Sequence, residues 1–302
     1  MSQENFKPNF LNKYIDRTLP TISISEVLGM IQEPFDQEGV AEKTFNKHFN
    51  NPNSEYFQKT IEEIISMWKA KGATSCKYGS LLDDYIGLNL NNKEMELRLW
   101  KLDNNYEDDE RLLAHCTAFD DFYKLVSASG DTEFVDREKT VYLKVGDFYI
   151  KGRFDALFRN KRTGKWIIID WKSSGSIDKV KNQWTKNLLG PAKNFPALNY
   201  FTYTMQLYFY KKALIEGGYL PKDTKFEDVT VMIVNLLDHI IEETKKRFAT
   251  HNAAFEYDDN FMNKLFEFAV NKKKILLEMQ PKEVEITEEN ISKTEEDEDL
   301  PF

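Results

Sequence analysis

Two neighbouring stretches set the terms for the whole chain. One is Gly152-Arg153-Phe154-Asp155, within an aromatic and aliphatic run from Tyr149 to Phe158. The other is Trp166-Ile167-Ile168-Ile169-Asp170-Trp171-Lys172. Between them Asn160-Lys161-Arg162-Thr163-Gly164-Lys165 reads as a turn, so the pair predicts a β-hairpin. Trp166 to Ile169 is almost wholly apolar, as expected of a strand covered on both faces. Charges closing such a strand are costly unless they are paired or bind a metal. Side chains alternate along a strand, so Asp170 and Lys172 point the same way. With Asp155 on the partner strand, two carboxylates and one ammonium converge. That donor set suits a hard cation, Mg²⁺ or Mn²⁺, together with water and phosphate oxygens. Such an ion polarises a phosphoryl oxygen and activates a water, while the lysine orients the water or meets developing charge.

Gly-x-x-Asp followed fifteen residues after its aspartate by Asp-x-Lys at the end of an apolar strand resembles the PD-(D/E)xK nuclease superfamily. The resemblance is to the branch of RecB-like and lambda-exonuclease-like domains. It implies a restriction-endonuclease-like core, with Asp155 and Asp170 as metal ligands and Lys172 as the catalytic lysine. It also implies an upstream acid. Glu138, directly before the alternating run Val141 to Val145, is preferred over Glu133. Tyr78-Gly79-Ser80-Leu81-Leu82-Asp83 resembles the family's Gly-(Thr/Ser)-x-x-His helix, with Asp83 in the histidine position as a further metal ligand. Gln206-x-x-x-Tyr210 resembles the motif that contacts the DNA backbone on the following helix. The spacing Asp-x-Lys alone decides nothing: Asp223-Thr224-Lys225 has it too. The plain alternative is a surface hairpin closed by an ion pair.

The chain of 302 residues has cysteines only at 76 and 116, too few for a disulfide framework or a four-cysteine iron–sulfur cluster. No apolar run reaches membrane-spanning length and no signal-peptide core is visible, so a cytoplasmic setting is expected and membrane partners are not. The net charge of −9 looks unsuited to DNA, but residues 282–302 hold nine acids against two lysines. Roughly −2 is left for the rest, so local basic patches can still meet phosphates. Lys179, Lys181, Lys186 and Lys193 occupy an acid-free stretch with Trp184, which suits single-stranded DNA or free ends. The final residues, Asp299-Leu300-Pro301-Phe302, close an acidic run. They resemble the tip of bacterial single-stranded-DNA-binding proteins and imply docking to replication or repair proteins.

Three parts are expected: a mainly helical region over 1–75, a nuclease core over 76–281 with a central mixed α/β sheet flanked by helices, and a disordered acidic tail over 282–302. Ser25 is a candidate cap for a short helix, residues 33–53 read as irregular, and Ser54 is expected to cap a helix ending near Lys71. Further helices are read across 91–127, Tyr203–Glu216 and Asp258–Gln280, with a buried strand at Val229–Leu237. The expected activity is metal-dependent DNA hydrolysis by an exonuclease. The alternatives are a site-specific endonuclease and a weakly catalytic DNA-binding adaptor.

Overall fold

A computed structural model describes residues 15–173, 185–252 and 258–279, with residues 6, 8, 10, 177 and 179–181. Trp184 and the terminal Asp299-Leu300-Pro301-Phe302 lie outside the described residues. The elements follow as β1 (Thr21–Ser23), α1 (Ile24–Gly29), α2 (Gln37–His48), α3 (Ile61–Leu90), α4 (Glu94–Asp103) and α5 (Glu110–Ser127). Then come β2 (Thr132–Val145), β3 (Phe148–Asn160), β4 (Trp166–Lys172), α6 (Asn199–Glu216), β5 (Val229–Ile241), β6 (Lys246–Asn252) and α7 (Asp259–Glu278). The expected architecture is present: one mixed six-stranded sheet between two helical layers.

β3 is the strand that organises the sheet. Along one edge it pairs antiparallel with β2 over nearly its full length. The other edge is shared: β1 runs parallel to Tyr149–Lys151, and β4 runs antiparallel to Ala156–Arg159. Gly152 to Asp155 therefore lie between two partners on that edge. β4 then pairs parallel with β5, and β5 antiparallel with β6. One face buries Ile22, Phe154, Ile168, Ile233 and their neighbours against α1, α6 and α7. The other buries Phe158, Ile169, Trp171, Val234 and Leu236 against α3 and α5. On that side Cys116 is fully buried, and burial drives its thiol pKa up, whereas Cys76 on α3 is exposed.

Several local expectations change. The cap of α1 is Ser23, whose hydroxyl accepts from the Glu26 N–H, so Ser25 lies inside the helix. Residues 37–48, expected to be irregular, form α2, which buries only Ala41 and so carries little hydrophobic signal. α3 starts from Thr60 rather than Ser54, through a reciprocal capping box with Glu63. It also continues through Gly72 to Leu90 instead of breaking, so a division at 75/76 would fall inside one helix. β1 brings the N-terminal region into the sheet itself.

Candidate active site

The β3–β4 ladder runs from Arg159↔Trp166 to Ala156↔Ile169. One further step in the same register faces Asp155 with Asp170. Directly opposed residues of an antiparallel pair project from the same face. Here the strands part, and a side chain takes over the missing main-chain contact: Asp155 Oδ2 accepts from the Trp171 N–H at 2.8 Å. Asp170, only 2 % exposed, is ion-paired through Oδ2 with Lys172 Nζ at 2.6 Å. The same ammonium lies 4.6 Å from the centre of the Tyr203 ring, at the start of α6.

Burial, then the neighbouring Asp170 charge, raises the Asp155 pKa from its ordinary 3.8 to about 8, against the opposing pull of Lys172 and the Trp171 N–H. Burial likewise raises Asp170 despite Lys172. For Lys172, burial works against the charged form, but Asp170 and Asp155 outweigh it and its pKa is raised. Two carboxylates share one ammonium; Asp155 keeps its proton below about pH 8, and once it ionises the cluster carries surplus negative charge that a bound cation would relieve.

Asp155 and Lys172 line a cleft of about 330 Å³ with Gly79, Asp83, Glu138 and Arg153. Its walls come from α3, from β2 and β3, and from the end of β4. Glu138 has a left-handed φ of 52° opposite this part of β3. Its carboxylate is held by Arg153 Nε at 2.6 Å. Burial, and then the charge of Asp83, raises its pKa while Arg153 and Arg137 oppose. Asp83 stands on α3 with its Oδ1 at 2.5 Å from Arg137 Nη2. Asp83 and Glu138 thus reach the same cleft as Asp155, each already held by an arginine. Glu133, which pairs with Arg159 toward the far end of β3, does not line it.

The oxygen donors suit a hard divalent ion. Among the described residues no three His, Cys, Asp or Glu side chains stand ready-spaced around one point, so water and phosphate oxygens would complete the shell. Asp155 and Asp170 would hold the ion, with Glu138 a further carboxylate of the same cleft whose charge also raises the Asp155 pKa.

The expected DNA contacts fare unevenly. Gln206 Nε2 donates to Tyr210 Oη at 2.8 Å, but Tyr210 is 2 % exposed. It can brace Gln206 but cannot itself reach DNA, because α6 buries it against β3. Lys179 lies 4.7 Å from the Tyr200 ring centre, and Lys181 is exposed. Lys186 is not a free phosphate ligand: it forms an ion pair with Glu33. Sequence reasoning assigns no role to Arg137 or Arg153. Each acts across elements, and only the position of Arg153 inside Gly152-x-x-Asp155 could have pointed to it.

Among the described residues no helix is long and apolar enough to cross a membrane. A family model described as the PD-(D/E)XK nuclease superfamily matches residues 47–293. Solved structures with similarity include SSO0001, 16 % identical over 65 % of this chain and 75 % of that one, with a TM-score of 0.29. Another is a protein from Eubacterium rectale provisionally described as an exonuclease, 14 % identical over 90 % of this chain and 96 % of that one, with a TM-score of 0.39. No curated protein matches the sequence.

Proposed function

This chain belongs to the PD-(D/E)XK nuclease superfamily, and from that premise we propose that it is a divalent-metal-dependent DNA exonuclease of the RecB-like branch. The observation that carries the reading is the cluster of Asp155, Asp170 and Lys172 at the parting of β3 and β4, which meets the cleft through Asp155 and Lys172. Bound Mg²⁺ or Mn²⁺ would supply Lewis acidity toward the phosphate and lower the pKa of the attacking water. Asp155 and Asp170 anchor that charge. The Lys172 ammonium orients the nucleophile and meets charge developing on the phosphate oxygens. Gln206, braced by Tyr210, and the exposed Lys179 and Lys181 hold the strand. Arg153, 66 % exposed at the cleft, is a further phosphate ligand once Glu138 is otherwise engaged. The order of the motifs, from Gly79 through Asp155 and Asp170 to Gln206 and Tyr210, supports the RecB-like assignment.

The test is degradation of end-labelled linear and of circular DNA, single- and double-stranded, with Mg²⁺, Mn²⁺ or EDTA. Metal-dependent loss of linear DNA alone, absent in Asp170→Ala and Lys172→Ala, is the expected result. Cutting of circles would make the chain an endonuclease. DNA binding without cutting would favour a nuclease-fold adaptor, the role that the Asp83–Arg137 pair in the family's histidine position would suit.

A further inference from the structure

Asp170 poses a problem of occupancy. Its Oδ2 already holds the Lys172 ammonium at 2.6 Å, and the residue is buried. A cation that engages this carboxylate competes with the ammonium for it, and like charges at that range repel. The lysine, its side chain only 21 % exposed, then needs another acceptor within reach of its stem, because a largely desolvated ammonium without one is disfavoured.

β5 carries such an acceptor. In the parallel β4–β5 ladder Lys172 is the register partner of Asn235, as Asp170 is of Ile233. Register partners project to the same side. Val229, Val231 and Ile233 belong to the core on the α6 side, while Val234 and Leu236 belong to the opposite core, so Asn235 faces α6, as Lys172 does in reaching Tyr203. Asn235 is 2 % exposed, and its Oδ1 has no hydrogen-bond partner. A buried amide oxygen left unsatisfied is destabilising. Such a group in a sheet interior calls for an explanation, and the strand position beside it belongs to the site lysine.

We propose that Asn235 is a positioning residue that gives the Lys172 ammonium its second seat: when a divalent cation takes Asp170, the lysine turns to Asn235 Oδ1 while keeping the face of Tyr203. This inference rests on the metal-nuclease reading. It places the lysine beside the metal rather than on its ligand, where it can act on water or phosphate.

The experiment uses the full chain labelled with ¹⁵N and titrated with Ca²⁺. The Asn235 side-chain amide signal is assigned by its loss in Asn235→Ala. Ca²⁺ is expected to shift that signal in the wild type and not in Lys172→Met. Asn235→Leu supplies a second readout. It removes the unsatisfied oxygen at similar volume, so Tm in EDTA should rise, while kcat falls about tenfold or more, the equivalent of one hydrogen bond to a charged group, and KM for DNA stays put. A purely structural asparagine would lose Tm and activity together, and that result overturns the proposal. Unchanged kcat in Asn235→Leu also overturns it. Ca²⁺ binding, seen as a rise in Tm, with a silent Asn235 signal sinks this inference alone. Absence of Ca²⁺ binding sinks it together with the metal reading.

Discussion

Burial and the neighbouring Asp170 displace the pKa of Asp155 upward, and the sign of that displacement has a measurable consequence. A pKa raised from 3.8 to about 8 means that the folded chain binds this proton more tightly than the unfolded chain. Its contribution to stability is therefore fullest at acid pH and is lost as pH rises from about 4 to 8. In EDTA, the wild-type Tm should fall between pH 5.5 and 8.5 more steeply than that of Asp155→Asn, and the variant should be the more stable at pH 8. Saturating Mg²⁺ should remove most of the difference, because the ion supplies the missing positive charge. Equal slopes for the two proteins would refute the assignment. Lys172→Ala leaves the buried Asp170 carboxylate without its ion-pair partner as well as removing the ammonium. Cleavage should drop by about 10²-fold or more, and metal-free Tm should fall. A single-turnover assay beside a melting curve separates the two effects.

At the level of elements, the glycine of Gly152-x-x-Asp155 has a steric explanation rather than a conformational one. A Cβ there would lie 2.7 Å from ring atoms of both Phe209 and Tyr210 and 2.9 Å from Ile24. β3 thus passes directly beneath α6, and that contact sets Tyr210 and Gln206 beside the carboxylates. Gly152→Ala should cost about 1–3 kcal/mol in urea unfolding. It should also slow cleavage, since the displaced ring is the one bracing Gln206. Wild-type stability in this variant would disprove the close approach. The hairpin of β3 and β4, α6, α7 and β5 were legible because their periodicity or apolar runs coincide with what they bury. α2 was not, because it buries a single alanine. The run of α3 through Gly72 was hidden for a related reason: an isolated glycine costs only about 1 kcal/mol in a helix, and nothing crowds this one. Asp155, Asp170 and Lys172 could be read as a constellation because two adjacent strands carry them. The arginines on Asp83 and Glu138, and the asparagine beside Lys172, come together only through the sheet and its flanking helix, which no local pattern records.

For the molecule as a whole, the question is how an acidic chain meets a polyanion. Contact is made locally: Lys179 and Lys181 stand exposed, while Lys186 is ion-paired with Glu33. Lys179→Ala with Lys181→Ala should weaken DNA binding and reduce the slope of log affinity against log salt by about 1.4–1.8. Lys186→Ala should change the slope much less. Equal effects would show that the Glu33 pair opens on binding. Those binding curves need a reporter, and α3 provides one. Cys76 projects into solvent about one helical turn before Gly79 and Ser80 at the cleft, while Cys116 is sealed in the core with its thiol held protonated. A maleimide dye should therefore couple at one place on the native chain without any engineered cysteine, and its emission would follow the cleft as a strand enters.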